Sequence, residues 1–171
     1  MRAAFIVLAA WLAASPCLAQ GQSQEPVGCD KFKWPLDQER AMLTGTEVPT
    51  AASGSTVTHP LPATVSIALV PFAEAKLPVA PERAPKAPAS FAGFVQLPAP
   101  AAAGIYKFSL SSEGWIDVVQ DGHTVKSAGF TGALGCAGLR KSVRFDLAAQ
   151  PLTIELSGVA ANAVRVAITK D

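Results

Sequence analysis

The sequence is poor in the residues with which most enzymes do chemistry. It has two histidines and three cysteines among 171 residues. It also lacks a G-x-S-x-G nucleophile elbow, a phosphate-binding loop, a dinucleotide-binding glycine fingerprint and a C-x-x-C pair. These absences argue against the common hydrolase, nucleotide-dependent and thiol-redox classes, so no cofactor and no metal site is expected. They favour a protein that binds a partner over one that transforms a substrate.

The apolar run at the beginning of the chain is too short to span a membrane. Arg2 is followed by apolar residues over 3–14, a break at Pro16 and a small residue at Ala19. This order is typical of a secretory signal peptide, whereas a membrane-spanning helix needs about 20 apolar residues. We therefore expect residues 1–19 to be a signal peptide and the mature protein to be periplasmic or secreted. No transmembrane segment is expected to remain after cleavage.

Export would leave a chain without net charge. Arg2 is the one charged residue among the first 19, so the 14 basic residues fall to 13, equal to the 13 acidic residues. Binding to nucleic acid needs a clustered positive face. The balance of charge therefore argues against a nucleic acid as partner.

Cleavage would also leave two cysteines, Cys29 and Cys136. Two cysteines in an exported chain most simply pair, because disulfides form and persist in oxidising compartments. Closing a loop of about one hundred residues contributes about 4 to 5 kcal/mol in the chain-entropy view. The alternative is a lipoprotein with Cys17 as its acylated first residue, but Pro16 stands where a lipobox has a small residue. A disulfide between Cys29 and Cys136 is therefore predicted.

Alternation of apolar and polar residues indicates β-strands. In residues 104–122, Tyr106, Phe108 and Leu110 alternate with polar neighbours, and a turn at 111–114 leads into a second strand. A period of two lets a strand bury one face and expose the other, so a hairpin is predicted here. Further strands are predicted at 64–70, 91–97, 123–127, 142–147, 152–156 and 164–169.

A single short helix is predicted over residues 35–43, because Pro35 suits a first helical position and Gly45 suits a stop. The polar residues 20–28 before it are predicted to form a flexible leader. One helix and about eight strands within residues 29–171 predict a single all-β domain, an antiparallel jelly-roll-like β-sandwich.

Proline and glycine mark two surface loops. Residues 71–88 carry five prolines, and each one removes a backbone donor, so a central strand is excluded there. A surface loop with a brief β segment at 75–77 is expected instead. Residues 129–138 are rich in glycine and lack periodicity, which predicts a loop held by Cys136.

The best candidate for a ligand site is a surface around Trp115. Trp115 and Asp117 share one face of their predicted strand, and Lys107 is expected beside them on the neighbouring strand of the hairpin. An exposed tryptophan next to a carboxylate suits binding of a sugar or a peptide. The alternative is that Trp115 packs under a loop.

The two histidines offer a second, chemically different hypothesis. A site with two histidines and one carboxylate, which holds iron in many oxygenases, would have to use both His59 and His123. His59 lies in a predicted loop before Pro60. The simpler interpretation is that both histidines lie on the surface.

Two resemblances add to these expectations. The region from Gly104 onward, with its G-W-I-D-V run and late alternating strands, resembles the jelly-roll pre-peptidase C-terminal type of bacterial β-sandwich. The motifs C-D-K-F-K-W-P-L at 29–36 and G-C at 135–136, with Arg40 and the R-K-S run at 140–142, resemble a group of small exported proteins of Gram-negative bacteria. Members of that group often carry the name homogentisate 1,2-dioxygenase, which implies iron held by two histidines and a glutamate. No motif in this sequence matches those ligands.

Together, these observations predict an exported, non-catalytic binding or interaction module. Its partner would be a small molecule, a glycan or an envelope protein. The two alternatives are an iron oxygenase that uses His59 and His123, and a structural protein of the cell envelope.

Overall fold

The computed structural model describes residues 25–87 and 89–171. The predicted signal peptide, 1–19, and the part of the predicted leader over 20–24 lie outside the described residues. Within the described residues, one α-helix, two short 3₁₀ turns and eleven strands follow one another along the chain. The helix α1 spans Asp37–Thr44. The strands are β1 Thr50–Ala52, β2 Ala63–Ala68, β3 Val70–Pro71, β4 Phe91–Leu97, β5 Gly104–Leu110, β6 Trp115–Gln120, β7 His123–Thr124, β8 Ser127–Gly132, β9 Lys141–Leu147, β10 Leu152–Val159 and β11 Ala163–Lys170.

The strands form two sheets that face each other. Sheet one has the order β1-β2-β11-β5-β9-β8, and sheet two has the order β3-β4-β10-β6-β7. The longer strands pair antiparallel, whereas β1 and β2 pair parallel. Going along the chain, β2, β4, β5 and β6 lie alternately in the first and second sheet, and so do β9, β10 and β11. This alternation is that of a jelly roll, so the predicted fold class is confirmed.

The core between the sheets is built by the alternation that the sequence shows. In β2 every second residue is buried, and the inward residues of the central strands are almost completely hidden from solvent. Phe108 of β5 and Phe145 of β9 meet edge to face, with 5.4 Å between ring centres, a favourable arrangement for two aromatic rings. Burial of one face of each strand is thus what holds the sheets together.

A second, smaller core lies on the outer face of sheet one. There α1 packs against β11, with Leu36, Leu43, Leu139 and Ala167 buried between them. The helix begins at Asp37 rather than at the predicted Pro35, because Leu36 has a φ of −137° and is not helical. None of the helices in the described residues is long and apolar enough to cross a membrane.

The predicted disulfide is confirmed. Cys29 and Cys136 are bonded, with their Cα atoms 4.8 Å apart, within the range that a disulfide requires. The bond joins the chain just before α1 to the segment between β8 and β9. The layer formed by α1 and the chain before it, here called the outer layer, is therefore tied covalently to the sandwich.

Three local predictions are wrong. Residues 111–114 do not close a hairpin, because β5 and β6 lie in different sheets. Residues 75–77 form no strand, and part of the loop predicted at 129–138 belongs to β8. Among the described strands, β8 pairs only with β9, and it contains a register shift next to Gly129. An irregular, glycine-rich edge strand of this kind lacks the regular alternation that indicates a strand.

Candidate functional site

The outer face of sheet two carries an unusual concentration of buried polar groups. Ile116 and Val118 of β6 belong to the core, so Trp115 and Asp117 project from the opposite face. Residues of β10 stand directly across from them, because Glu155 pairs with Asp117 and Ser157 pairs with Trp115. Asp117, Glu155 and Ser157 are nonetheless buried, which requires a further layer over the sheet.

That layer is the proline-rich segment, residues 71–87. The backbone N–H of Val79 donates to Glu155 Oε1 at 2.9 Å, and the N–H of Glu82 donates to Asp117 Oδ2 at 3.2 Å. Proline cannot extend a sheet, but the segment can still donate the N–H groups that its prolines do not block. Two carboxylates on the sheet are thereby used to hold a loop.

Trp115 lies under this segment and is half-buried. Its Nε1–H donates to Asp117 Oδ1 at 2.8 Å. The guanidinium of Arg83 lies 5.4 Å from the ring centre, and the ammonium of Lys141 lies 5.5 Å from it. Both distances are within reach of a cation–π contact. The indole therefore lies within this cluster, between Asp117 and the two cations.

Lys107 is not part of this cluster, and its expected position beside Trp115 is wrong. It lies in β5 of sheet one, where its Nζ is 2.8 Å from Glu39 and 3.8 Å from Asp171. The error has a physical cause: the turn after β5 carries the chain from one sheet to the other. Lys141 of β9 and Arg83 supply the positive charge near Trp115 instead.

Burial dominates the electrostatics of the cluster. The pKa of Asp117 is raised by burial, although hydrogen bonds from Trp115 and Glu82 oppose the rise. Burial likewise raises the pKa of Glu155, whose Oε2 has no hydrogen-bond partner in the described residues. Burial lowers the pKa of Lys141, and its Nζ donates to the Gly114 carbonyl at 2.8 Å. Each group is thus shifted toward its neutral form.

A groove of about 720 Å³ lies next to the buried cluster. Its floor includes Gln96, Thr153 and Val119, which are cross-strand neighbours on β4, β10 and β6. Val79 belongs both to the lining of the groove and to the bond with Glu155. Among the described residues that line the groove, only Asp121 is charged. The groove is also lined by residues 56–58, Pro78, 97–98, Gly122 and 151–152.

Sequence reasoning missed Glu155 and the groove. Glu155 alternates with Ile154 and Leu156, a pattern that indicates a solvated position. Glu155 is buried only because the proline-rich segment, residues 71–87, covers it. The alternation of residues within β10 carries no information about that segment. The repeated prolines of 71–87 were the available signal, because they predict a loop that must lie against some surface.

The two histidines do not form the site that an oxygenase would need. His59 and His123 are both exposed. Within residues 25–87 and 89–171, no group of three or more His, Cys, Asp or Glu side chains is placed to hold a metal ion. The donor set that iron requires is therefore not met by these residues.

In comparisons with known proteins, no family model, no curated protein and no solved structure matches this chain. The resemblances to the pre-peptidase C-terminal type and to the small exported proteins accordingly remain expectations from the sequence. The candidate function has to be argued from the site itself.

Proposed function

We propose that this protein is an exported, non-catalytic binding module whose groove on sheet two takes a neutral polar ligand of the glycan type. The observation that carries the proposal is the groove itself, through its size and through the residues that line it. Its volume of about 720 Å³ is within the range of small-molecule sites, about 300 to 1,000 Å³.

The chemistry of the lining suits a sugar. Thr153 and Gln96 supply hydroxyl and amide groups that both donate and accept hydrogen bonds. Val79, Val119 and Pro151 supply apolar surface against which the C–H faces of a sugar ring can pack. A charged ligand would find one charged residue, Asp121, whereas a neutral ligand needs none.

In the proposed function the ligand binds in the groove and not at Trp115. The platform expected at Trp115, Asp117 and Lys107 is not assembled, because Lys107 lies in sheet one and two cations lie near the indole ring. Trp115 and Asp117 instead support the segment that contributes Val79 to the groove.

Export is supported by the disulfide between Cys29 and Cys136, since disulfides are rare in reducing compartments. A periplasmic or secreted location is therefore proposed. A structural role in the envelope is the competing function, and the binding experiment distinguishes the two.

The test is a glycan array probed with the mature protein, followed by calorimetric titration of the glycans that bind. Thr153→Val and Gln96→Ala should each weaken binding by about 5- to 150-fold, because a lost hydrogen bond that leaves a polar group unpaired costs about 1 to 3 kcal/mol. Gln38→Ala, on the exposed surface of α1, is the matched control and should bind like the wild type.

Failure of every glycan to bind would refute the proposal, as would unchanged affinity in both groove variants. Recovery of a defined envelope protein with the wild type, combined with absence of glycan binding, would favour the structural role.

A further inference from the structure

The attachment of residues 79–82, here called the latch segment, rests on two carboxylates. In the part of the chain that the structure describes, residues 76–87 make two hydrogen bonds to the sheet, from Val79 N–H to Glu155 and from Glu82 N–H to Asp117. The segment has no strand of its own. Its hydrogen bonding to the sheet therefore depends on the state of these two side chains.

The two acceptors are close neighbours beneath the latch segment. Glu155 and Asp117 are direct cross-strand partners, so their Cβ atoms are about 4.5 to 5.5 Å apart. They are 2% and 3% exposed. Two negative charges this close and this deeply buried repel each other and lose their hydration. A state in which one carboxyl group keeps its proton is therefore lower in free energy than a state in which both are ionised.

Glu155 is the better holder of that proton. Asp117 accepts two hydrogen bonds, one from Trp115 and one from Glu82, and both stabilise its ionised form. Glu155 accepts one, from Val79, and its second oxygen is buried without a partner. An ionised Glu155 would thus leave a charged oxygen unsatisfied, which is costly in the interior.

We propose that Glu155 acts as a protonation-controlled latch: when it is protonated the latch segment stays closed over sheet two, and when it ionises the segment opens to let water reach the carboxylate. This inference does not depend on what the groove binds. Because Val79 lines the groove, opening would also move part of its lining.

Other charged groups around the pair modify this balance without removing it. The latch segment contributes Glu82, whose charge adds to the repulsion on Asp117. Lys141 of β9 offsets part of the negative charge on Asp117. On β4, the cross-strand neighbours of Glu155 and Thr153 are Phe94 and Gln96, which are uncharged. Charged groups near Lys141 in turn are Arg83, Glu113, Arg140 and Glu25.

The direction of the pH dependence follows from burial. Burial raises the pKa of Glu155 and of Asp117 in the closed form and outweighs the hydrogen bonds from Val79 and Glu82, which lower those pKa values, so the closed form binds protons more tightly than the open form. Closure is fully favoured below the ordinary pKa of these acids, near 4, and is lost as pH rises through their raised pKa values. The latch is therefore closed in acid and open in base.

The test is hydrogen exchange of the Val79 and Glu82 amides by NMR between about pH 5 and pH 8, corrected for intrinsic exchange. The wild-type protection should fall as pH rises, because closure is linked to protonation of the buried pair. Glu155→Gln keeps an acceptor for Val79 but cannot ionise, so the protection of Val79 should depend on pH much less than in the wild type, with Asp117 as the remaining titrating acid of the pair. Glu74→Gln, an exposed acid in the same proline-rich segment, should follow the wild type.

A flat wild-type profile would overturn the latch, and so would a fall of equal size in Glu155→Gln. If Glu155→Gln does not fold, the carboxyl ¹³C titration of Glu155 in the wild-type protein provides the test. Its midpoint should coincide with the midpoint of the loss of protection, and a separation of more than about one pH unit would reject the assignment.

Discussion

Two buried glutamates in this protein have opposite pKa shifts, and their neighbours explain the difference. Glu39 of α1 is completely buried, and burial alone would raise its pKa. Hydrogen bonds from Lys107 and Thr169 outweigh burial, so the pKa of Glu39 is lowered. Within the described residues no cation takes this place at Glu155, and its pKa is raised. The lowered pKa of Glu39 thus goes with the cation and the hydroxyl that reach its carboxylate.

Replacement of Lys107 by methionine tests whether the cation stabilises the buried carboxylate of Glu39. We expect Lys107→Met to lower the free energy of unfolding by about 3 kcal/mol at neutral pH, because it leaves the charge of Glu39 buried without its cation. Chemical denaturation measures the change. Lys126→Met, at an exposed position, is the control and should change stability by less than about 0.5 kcal/mol.

The same pair predicts a pH dependence. Since the pKa of Glu39 is lowered in the folded protein, its stabilising contribution is present above its ordinary pKa and is lost as pH falls below that value. The difference between wild type and Lys107→Met should therefore shrink as pH falls, because burial without the cation favours the neutral form of Glu39 in the variant. A difference that stays constant from neutral to acid pH would contradict the role given to the ion pair.

At the scale of elements, the outer layer is fastened to sheet one at several points. The disulfide fixes the chain before α1. Arg165 of β11 holds the other end of the helix, with Nη1 donating to the carbonyls of Leu43 and Gly45 at 2.8 and 3.1 Å. A cation at the C-terminal end of a helix satisfies free carbonyls and complements the helix dipole. A helix of eight residues needs such support, because short helices are unstable alone.

Loss of the disulfide should affect this layer first. Cys136→Ser is expected to lower the free energy of unfolding by about 2 to 5 kcal/mol, because the bond closes a long loop in the unfolded chain. Hydrogen exchange should show increased opening of α1, with the amides of β9, β10 and β11 still strongly protected.

Reductant provides the matched control for this variant. A reducing agent should lower the stability of the wild type to that of Cys136→Ser and should leave the variant unchanged. Equal loss of protection in α1 and in the three late strands would show that the bond supports the whole sandwich instead of the outer layer.

At the scale of the whole molecule, stability comes from the core between the sheets. Phe108 is fully buried there, whereas Phe130 of the edge strand β8 is 62% exposed. Phe130 has one notable contact, from Lys33, whose Nζ lies 5.1 Å from the ring centre. The two phenylalanines therefore allow one substitution to be compared inside and outside the core.

We expect Phe108→Ala to lower the free energy of unfolding by about 3 to 5 kcal/mol, through lost burial and the cavity that remains. Phe130→Ala should cost less than about 1 kcal/mol, the size of an exposed cation–π contact. Thermal and chemical denaturation would measure both. Equal costs would mean that β8 is covered in solution by something that the described chain does not provide.

Much of the fold could be predicted because its signals are local. The alternation in β5, β9, β10 and β11 indicates strands, since burial of one face has a period of two wherever the sheet lies. The disulfide followed from counting, because the predicted signal cleavage would leave two cysteines that can pair. The shared face of Trp115 and Asp117 followed from their spacing within one strand.

The tertiary structure alone decided which of these faces meet. Lys107 and Trp115 are close in the sequence, yet their strands belong to different sheets, because the turn between them crosses the sandwich. Glu155 is buried because the proline-rich segment folds back over β10, and the groove is assembled from parts that lie far apart along the chain. A pattern within one strand reports that a face is buried but not what buries it, since long-range packing chooses the partner.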